Sequence, residues 1–262
     1  MKLLVIGDVV GNPGREAVRA LVPQLRRRHD LDLVVANCEN VSGGAGVTPK
    51  NAQELLGSGV DALTSGQHIW RYPEIGPYLN QERRIIRPAN YPPGAPGAGA
   101  TIVEARDGTR VGLLNLVGRV FLENVDCPFR VGQREVERLR AETPVILVDM
   151  HAEATSEKVA MGWHLDGQVS AVVGTHTHIQ TADERLLPKG TAYLTDLGMT
   201  GPYDSVIGRR VDQILERFLS GLPRRFEVPE TNVILCGAII EIDAKTGGAQ
   251  QITRVQERLL PF

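Results

Sequence analysis

The chain alternates short apolar runs with longer amphipathic stretches. Each apolar run is continuous rather than alternating, which is typical of a strand buried on both faces. The runs that predict such strands are Lys2–Gly7, Asp32–Ala36, Val60–Thr64, Pro144–Asp149 and Val169–Val173. Between them, apolar residues recur at helical spacing. The resulting helix predictions are Arg15–Arg28, Thr48–Leu56, Arg130–Glu142 and Thr155–Met161.

Glycine and proline separate these elements. We expect loops at Gly11–Gly14 and Asn90–Gly99, where the two residue types cluster. Two pairs of apolar runs predict antiparallel hairpins because a turn sequence joins them. The pairs are Ala100–Ala105 with Arg110–Leu116, around Asp107-Gly108, and Val233–Ile242 with Gln251–Leu259.

The order of the elements predicts an α/β fold with a mainly parallel sheet. Strand, helix, strand, helix and strand follow one another within about the first 65 residues, which is the order of a parallel sheet covered on both faces. No internal repeat, low-complexity tract or convincing linker interrupts the chain. We therefore expect residues 1–262 to form a single domain.

Composition narrows the class of protein. The chain has 262 residues, and Lys+Arg 29 nearly balance Asp+Glu 31. A hydrophobic fraction of 42% excludes a disordered or fibrous chain, and no apolar run reaches the roughly 18 residues of a membrane span. Three scattered cysteines without a CxxC pair suit a reduced cytosol, so we expect a cytoplasmic protein with no membrane partner. Balanced charge argues against non-specific binding of duplex nucleic acid, but a small phosphate ester stays open as a substrate.

Polar residues follow every predicted buried strand. They are Asp8, Asn37–Asn40, Ser65–His68, Asp149–His151 and Gly174–His178. Since ligands of open α/β sheets bind at the carboxyl ends of the strands, we expect these residues to line one edge. His176 and His178 would project to one side of an extended segment, because alternate residues of a strand share a face. Singly, each residue could be a cap, a turn or a structural histidine; together they indicate a functional site.

The chemistry of this edge predicts a metal site. Carboxylates, amide oxygens and four histidines packed without a cation would leave buried polar groups poorly satisfied. Mixed imidazole and carboxylate ligands suit Fe, Mn, Zn or Co, and the lack of thiolates argues against a structural zinc site. We expect Cys38 to point away from the site, because side chains alternate along a strand. The number of candidate ligands is larger than one ion can bind. Two ions about 3.5–4 Å apart, bridged by a carboxylate, fit that number.

The strand ends carry an ordered set of motifs. The most specific are Gly7-Asp8-Val9-Val10-Gly11, Asn37-Cys38-Glu39-Asn40, Gly66-Gln67-His68-Ile69-Trp70, the run Asp149–Lys158, and Gly174-Thr175-His176-Thr177-His178. The set resembles the calcineurin-like metallophosphoesterases, and most closely their YmdB-like branch of bacterial phosphodiesterases acting on 2′,3′-cyclic nucleotides. This resemblance runs along nearly the whole chain. It implies a layered α/β sandwich with mainly parallel central sheets flanked by helices, and a site at the strand C-terminal ends.

The resemblance also implies a role for each site residue. One metal would be held by Asp8, Glu39, Asn40 and His178, and the second by Gln67, His151 and His176, with Glu39 bridging the two. Apart from the resemblance, His68 stands next to a metal ligand but is not needed as one, so it is the candidate catalytic general acid that protonates the leaving ribose oxygen. Two positions depart from the superfamily pattern, because Val10 replaces a histidine and Gln67 replaces an asparagine. Asn40 would supply the missing ligand, and the amide oxygen of Gln67 can still coordinate.

The implied function is metal-dependent hydrolysis of 2′,3′-cyclic nucleotides or related phosphodiesters. A hydroxide held between two divalent or trivalent transition-metal ions would attack phosphorus, with Fe or Mn as the first choice and Zn as an alternative. An RNA end could be the substrate in the cell. Two other functions stay open. One is a metal-containing regulatory or RNA-interacting protein with little catalysis of its own, and the other is a metal-dependent hydrolase of non-phosphate substrates.

Two further predictions concern the surface. The clusters Arg26–Arg28 and Arg209-Arg210 are interpreted as a helix end or a solvated face, so no substrate-binding arginine is assigned. The Tyr72–Gly99 stretch and the C-terminal hairpin are candidate contact surfaces of a homo-oligomer, although either could be an ordinary surface loop.

Overall fold

The computed structural model describes residues 1–122 and 124–260, which form two facing β-sheets with helices on their outer sides. The strands are β1 (Lys2–Ile6), β2 (Asp8–Val9), β3 (Leu33–Asn37), β4 (Ala62–Thr64), β5 (Ala100–Glu104), β6 (Arg110–Val117), β7 (Ile146–His151), β8 (Ala171–Thr175), β9 (Arg185–Leu186), β10 (Ala192–Leu194), β11 (Met199–Pro202), β12 (Val233–Ile242) and β13 (Ala249–Arg258). The helices are α1 (Gly11–His29), α2 (Pro49–Gly57), α3 (Ile75–Leu79), α4 (Pro128–Arg140), α5 (Thr155–Leu165) and α6 (Val211–Ser220), together with a 3-10 helix at Gln67–Arg71.

Most strands of each sheet run in the same direction. The first sheet has the order β2-β11-β12-β1-β3-β4, with β13 also paired to β12. In it β1, β3 and β4 are parallel, and β12 runs antiparallel to β1. The second sheet has the order β5-β6-β7-β8-β10-β9. Its strands β6, β7, β8 and β10 are parallel, whereas the edge strands β5 and β9 are antiparallel. The predicted α/β class with mainly parallel sheets is confirmed.

Alternation along the strands sends side chains into different cores. In β1, Leu3 and Val5 lie between the two sheets, in a cluster that includes Leu113 of β6. Leu4 and Ile6 lie in the other cluster, which holds the apolar face of α1. Because successive side chains of a strand lie on opposite faces, both faces of β1 are apolar and the run in the sequence is continuous. Each sheet is thus covered by helices on one face and by the partner sheet on the other.

Helix α1 begins before Arg15, so the loop predicted at Gly11–Gly14 is wrong. The Gly14 N–H donates to the Val10 carbonyl at 3.1 Å, which is an α-helical i to i−4 bond. Pro13 is tolerated because the first N–H groups of a helix have no partner within the helix. Gly14 is needed for packing rather than for a turn, since a Cβ there would lie 2.5 Å from the carbonyl oxygen of Thr200 in β11.

The other predicted elements agree with the structure to within a few residues. The Thr48 hydroxyl caps α2 by accepting a hydrogen bond from the Asn51 N–H at 3.3 Å. Both predicted hairpins form, β5 with β6 and β12 with β13. Asn90–Gly99 holds no helix or strand, as predicted. Helix α6 was missed. Across residues 1–122 and 124–260, no helix has the length and apolarity needed to cross a membrane.

Candidate metal centre

The carboxyl ends of the parallel strands bring all eight predicted site residues together. Asp8 begins β2 directly after β1, Glu39 and Asn40 follow β3, Gln67 and His68 follow β4, His151 ends β7, and His176 and His178 follow β8. Strands of both sheets contribute, so the site lies where the carboxyl edges of the two sheets meet. Cys38, beside Glu39 in the sequence, packs into the core on the helix side, as predicted.

Glu39, His151 and His176 form the centre of the site. The Nε2 atom of His151 lies 3.1 Å from Glu39 Oε1 and 3.1 Å from His176 Nδ1. Ligand atoms of the three residues lie within 4.8 Å of one another. Gln67 joins them, with Nε2 3.3 Å from His176 Nδ1. The outer nitrogen of His176, Nε2, contacts Glu153 Oε2 at 3.1 Å, so its Nδ1 is the nitrogen that faces the centre.

Thr175 fixes the proton position on the His151 ring. The Thr175 hydroxyl donates to Asp149 Oδ1 at 2.7 Å and lies 2.8 Å from His151 Nδ1. Since its one proton goes to Asp149, the hydroxyl accepts from Nδ1–H, so Nε2 is the nitrogen that offers a lone pair to the centre once it loses its proton. Asp149 is itself held by the Asn37 amide at 3.0 Å. Outer hydrogen bonds of this kind orient metal-binding histidines in proteins.

A backbone carbonyl fixes His178 in the same way. His178 Nδ1 lies 3.0 Å from the carbonyl oxygen of Ile207. A carbonyl can only accept, so Nδ1 carries the proton and Nε2 is free to act as a ligand. That Nε2 lies 2.9 Å from Asn40 Nδ2 and 4.0 Å from Asp8 Oδ1. The Asn40 amide nitrogen thus donates to the lone pair of His178 Nε2, and the two residues form a second group together with Asp8.

The segment that carries the two histidines is not extended, and that prediction is wrong. His176 has φ 97° and His178 has φ 67°, both in the left-handed region. The residue between them, Thr177, is held by Asp196 Oδ2, which accepts from its N–H at 3.1 Å and its hydroxyl at 2.7 Å. Lys158 donates to the same oxygen at 2.6 Å. A buried ion pair, rather than strand geometry, fixes the loop that aims both histidines.

Three buried oxygens of the site accept no hydrogen bond. They are Asp8 Oδ1, Glu39 Oε1 and Gln67 Oε1, out of five such side-chain atoms in the part of the chain that the structure describes. The nitrogens of His68 and His151 approach Glu39 Oε1 to 2.9 and 3.1 Å, but neither is aligned for a hydrogen bond. An unpaired buried polar atom costs about 1–3 kcal/mol. A cation would satisfy the three oxygens and the inward lone pairs together, and these ligand types suit a transition metal.

Burial and neighbouring charges shift the pKa values of four side chains of the site, two upward and two downward. Burial raises the pKa of Asp8 to about 6, against the opposing charges of His178 and His151. Burial would also raise the pKa of Glu39, but the charges and hydrogen bonds of His151 and His68 together hold that pKa well below its ordinary value. Burial lowers the pKa of His151, yet the carboxylates of Glu39, Asp8 and Asp149 together raise it to about 9. Burial and His151 lower the pKa of His176 to about 3. The negative charge of Glu39 thus keeps a proton on His151, and a metal ion can replace that proton beside the carboxylate.

His68 stands at the mouth of the site. Its side chain is 43% exposed. Its Nδ1 lies 3.2 Å from Asn40 Oδ1, and its backbone N–H donates to Glu39 Oε2 at 3.2 Å. Because Nδ1 is turned inward, Nε2 lies on the opposite side of the ring. His68 also lines a cleft of about 300 Å³ that opens above the site.

The pair Arg209-Arg210 lies at the start of α6, in agreement with the predicted helix end, but Arg209 also lines this cleft. Arg209 was interpreted together with Arg210 as part of a helix end or solvated face. Its side chain is partly buried in the cleft wall and donates to the carbonyl oxygens of Gly43 and Gly44. Arg210 is exposed and pairs with Asp212, as such a surface residue should. No local pattern separates the two adjacent arginines, because the difference comes from the fold around them.

Comparison with known proteins assigns the chain to a family. The family model described as "YmdB-like protein" matches residues 4–255. The "2′,3′-cyclic-nucleotide 2′-phosphodiesterase" of Bacillus subtilis is 48% identical over 255 residues, which cover 97% of this chain and 96% of that protein. A crystal structure from Thermus thermophilus superposes with a TM-score of 0.92 at 40% identity, covering 98% of this chain and 99% of the other. The crystal structure of a novel phosphatase from Mycoplasma pneumoniae superposes with a TM-score of 0.92 at 32% identity, covering 98% of this chain and 93% of the other. The chain belongs to the YmdB-like family.

Proposed function

We propose that this chain is a metal-dependent phosphodiesterase that hydrolyses 2′,3′-cyclic nucleotides or related phosphodiesters. The observation that carries the proposal is the group of buried oxygens on Asp8, Glu39 and Gln67 that accept no hydrogen bond, which lie beside imidazole nitrogens under an open cleft. The Bacillus subtilis relative supports the substrate class, because it is named for this specificity and is 48% identical to this chain.

Two groups of residues would hold two metal ions. Asp8, Glu39, Asn40 and His178 make up one group, and Gln67, His151 and His176 make up the other, with Glu39 between them. The short distances within each group support this division. Gln67 is one methylene longer than asparagine, yet its buried amide oxygen is unpaired, which favours a ligand role. Mixed oxygen and imidazole ligands suit iron or manganese, with zinc as an alternative.

Bound metal ions would lower the pKa of water and neutralise charge on the phosphate. The chain's own residues prepare the site for them. Thr175 and the Ile207 carbonyl keep protons on the Nδ1 atoms of His151 and His178, so both rings turn Nε2 inward. Glu39 would be the acidic group shared by the two metal positions, and its negative charge would favour holding two cations close together.

His68 is the group suited to proton transfer. Hydrolysis of a 2′,3′-cyclic phosphate breaks one bond between phosphorus and a ribose oxygen and adds water, which gives a phosphate monoester and a free hydroxyl. The departing ribose oxygen needs a proton, and His68 Nε2 would deliver it from the mouth of the cleft. Asn40 holds the ring from the other side through Nδ1. Cleavage of the bond to O2′, by analogy with the name of the relative, would leave a 3′-phosphate.

The test is hydrolysis of 2′,3′-cyclic AMP by protein loaded with manganese or iron, with products separated by chromatography. We expect the native chain to release 3′-AMP and Glu39→Gln to release none, because a neutral amide cannot hold two cations together. Glu137→Gln, on the exposed side of α4, is the matched control and should keep full activity. A native chain that binds metal but leaves the ester intact would contradict the proposal and favour a regulatory protein.

A further inference from the structure

Arg209 is presented to the cleft by the same turn that orients His178. Val206 and Arg209 exchange backbone hydrogen bonds of 2.8 and 3.0 Å, which close the turn. Between them, the Ile207 carbonyl accepts from His178 Nδ1, and Gly208 adopts φ 92°, a conformation that favours glycine. The position of Arg209 is therefore tied to the position of a site histidine.

The charge of Arg209 lacks an acidic partner. Among the described residues, its guanidinium donates to the carbonyl oxygens of Gly43, at 3.0 Å, and Gly44, and forms no ion pair with a carboxylate. Its neighbour Arg210 pairs with Asp212. Burial lowers the pKa of Arg209, which is the expected effect of moving a cation out of water without compensation. A partly buried cation held only by neutral groups favours the arrival of an anion.

The guanidinium also has donors to spare. It carries five N–H groups in a planar fork, and the two loop carbonyls engage only part of them. His68, His176 and His178 line the same cleft, so an anion that contacts Arg209 lies beside the groups assigned to metal binding and proton transfer. The fork geometry matches the oxygens of a phosphate.

We propose that Arg209 binds a non-bridging oxygen of the substrate's phosphate group. This inference rests on the proposed function and adds a residue that favours anionic phosphorus esters over neutral esters. The phosphodiester carries one negative charge and the monoester product carries up to two, so the same contact holds substrate and product. The hydrogen bonds to Gly43 and Gly44 fix the fork before substrate arrives, which lowers the entropy cost of binding.

Two substitutions separate the charge of Arg209 from its contacts with the loop. Arg209→Gln removes the charge but keeps an amide that can donate to a loop carbonyl. Arg209→Lys restores the charge without the planar fork. Arg210→Gln removes an adjacent, exposed arginine and is the matched control. The probe is inorganic phosphate, titrated by calorimetry into manganese-loaded protein, and KM and kcat for 2′,3′-cyclic AMP are measured beside it.

We expect Arg209→Gln to weaken phosphate binding and to raise KM by roughly 10- to 150-fold, the loss of one hydrogen bond to a charged group. Arg209→Lys should recover part of the loss, and Arg210→Gln should leave both values unchanged. Metal content and unfolding temperature should match those of the native chain. If Arg209→Gln binds phosphate normally but unfolds at a lower temperature, the residue only braces the loop and the inference is overturned. If the native chain leaves cyclic AMP intact while Arg209→Gln loses phosphate affinity, the proposed function is wrong, but the inference that Arg209 binds a phosphate group stands.

Discussion

Replacing Lys158 with methionine tests the buried ion pair that fixes the loop carrying His176 and His178. Lys158 and Asp196 form an ion pair of 2.6 Å, and their side chains are 1% and 0% exposed. Methionine fills similar space without charge, so Asp196 would stay buried with its charge unpaired. Removal of one partner of a buried pair costs about 3–5 kcal/mol in the free energy of unfolding. Thr177 and Gly198 still donate to Asp196, so we expect a loss of about 3 kcal/mol, at the lower end of that range.

Urea and thermal unfolding of the metal-free protein at neutral pH measure this loss. About 3 kcal/mol corresponds to a melting temperature lower by roughly 6–12 °C for a chain of this size. The double variant Lys158→Met with Asp196→Asn should lose less than the sum of the single variants, because it leaves no unpaired charge. Lys2→Met, which breaks an exposed pair with Glu241, is the control and should cost less than about 1 kcal/mol. A loss of that small size for Lys158→Met, or an additive double variant, would refute the reasoning.

Two further substitutions test the site itself. His68→Ala should keep the metal content of the native chain and lose roughly 10²- to 10⁴-fold in kcat, the usual contribution of a general acid; metal analysis and steady-state kinetics check it, and an apo variant would contradict the role. Thr175→Val removes the acceptor of the His151 Nδ1 proton, so metal affinity should fall about 10- to 100-fold. A competitive titration with a metal-sensitive dye measures that change, and an unaltered affinity would show that the ring needs no such support.

The positions of the site residues were predictable because parallel strands order their carboxyl ends along one edge. Continuous apolar runs marked β1, β3, β4, β7 and β8, and the polar residues after each run converge in the structure. The residue types at these strand ends indicated a metal site, since buried carboxylates and imidazoles need a cation to satisfy them; the ligand set came from the family resemblance and stays a prediction. Local rules also sufficed for the cap of α2 and for both hairpins.

Other features depend on contacts between distant parts of the chain. Helix α1 extends through Gly11–Gly14, where β11 packs so closely against Gly14 that no side chain fits. The left-handed backbone at His176 and His178 depends on Asp196, which lies 18 residues or more further along the chain and shows no motif. Arg209 reaches the cleft through a turn that only the folded chain creates. Such contacts leave no local periodicity or spacing to detect.

The single-domain organisation, the homo-oligomer and an RNA end as substrate stay predictions. Four apolar side chains of α6 are exposed, those of Val211, Leu215, Phe218 and Leu219. Sedimentation of the native chain beside a variant with Phe218→Ser would show whether this helix takes part in assembly.

The most direct measurement of the central claim is the number of metal ions that the cleft binds. Calorimetric titration of manganese into metal-free protein should give two sites for the native chain. The same titration should give weakened or single-site binding for Glu39→Gln, which loses the carboxylate common to both positions. Equal stoichiometry and affinity in the two proteins would contradict the account, because the metal would then be held by other residues.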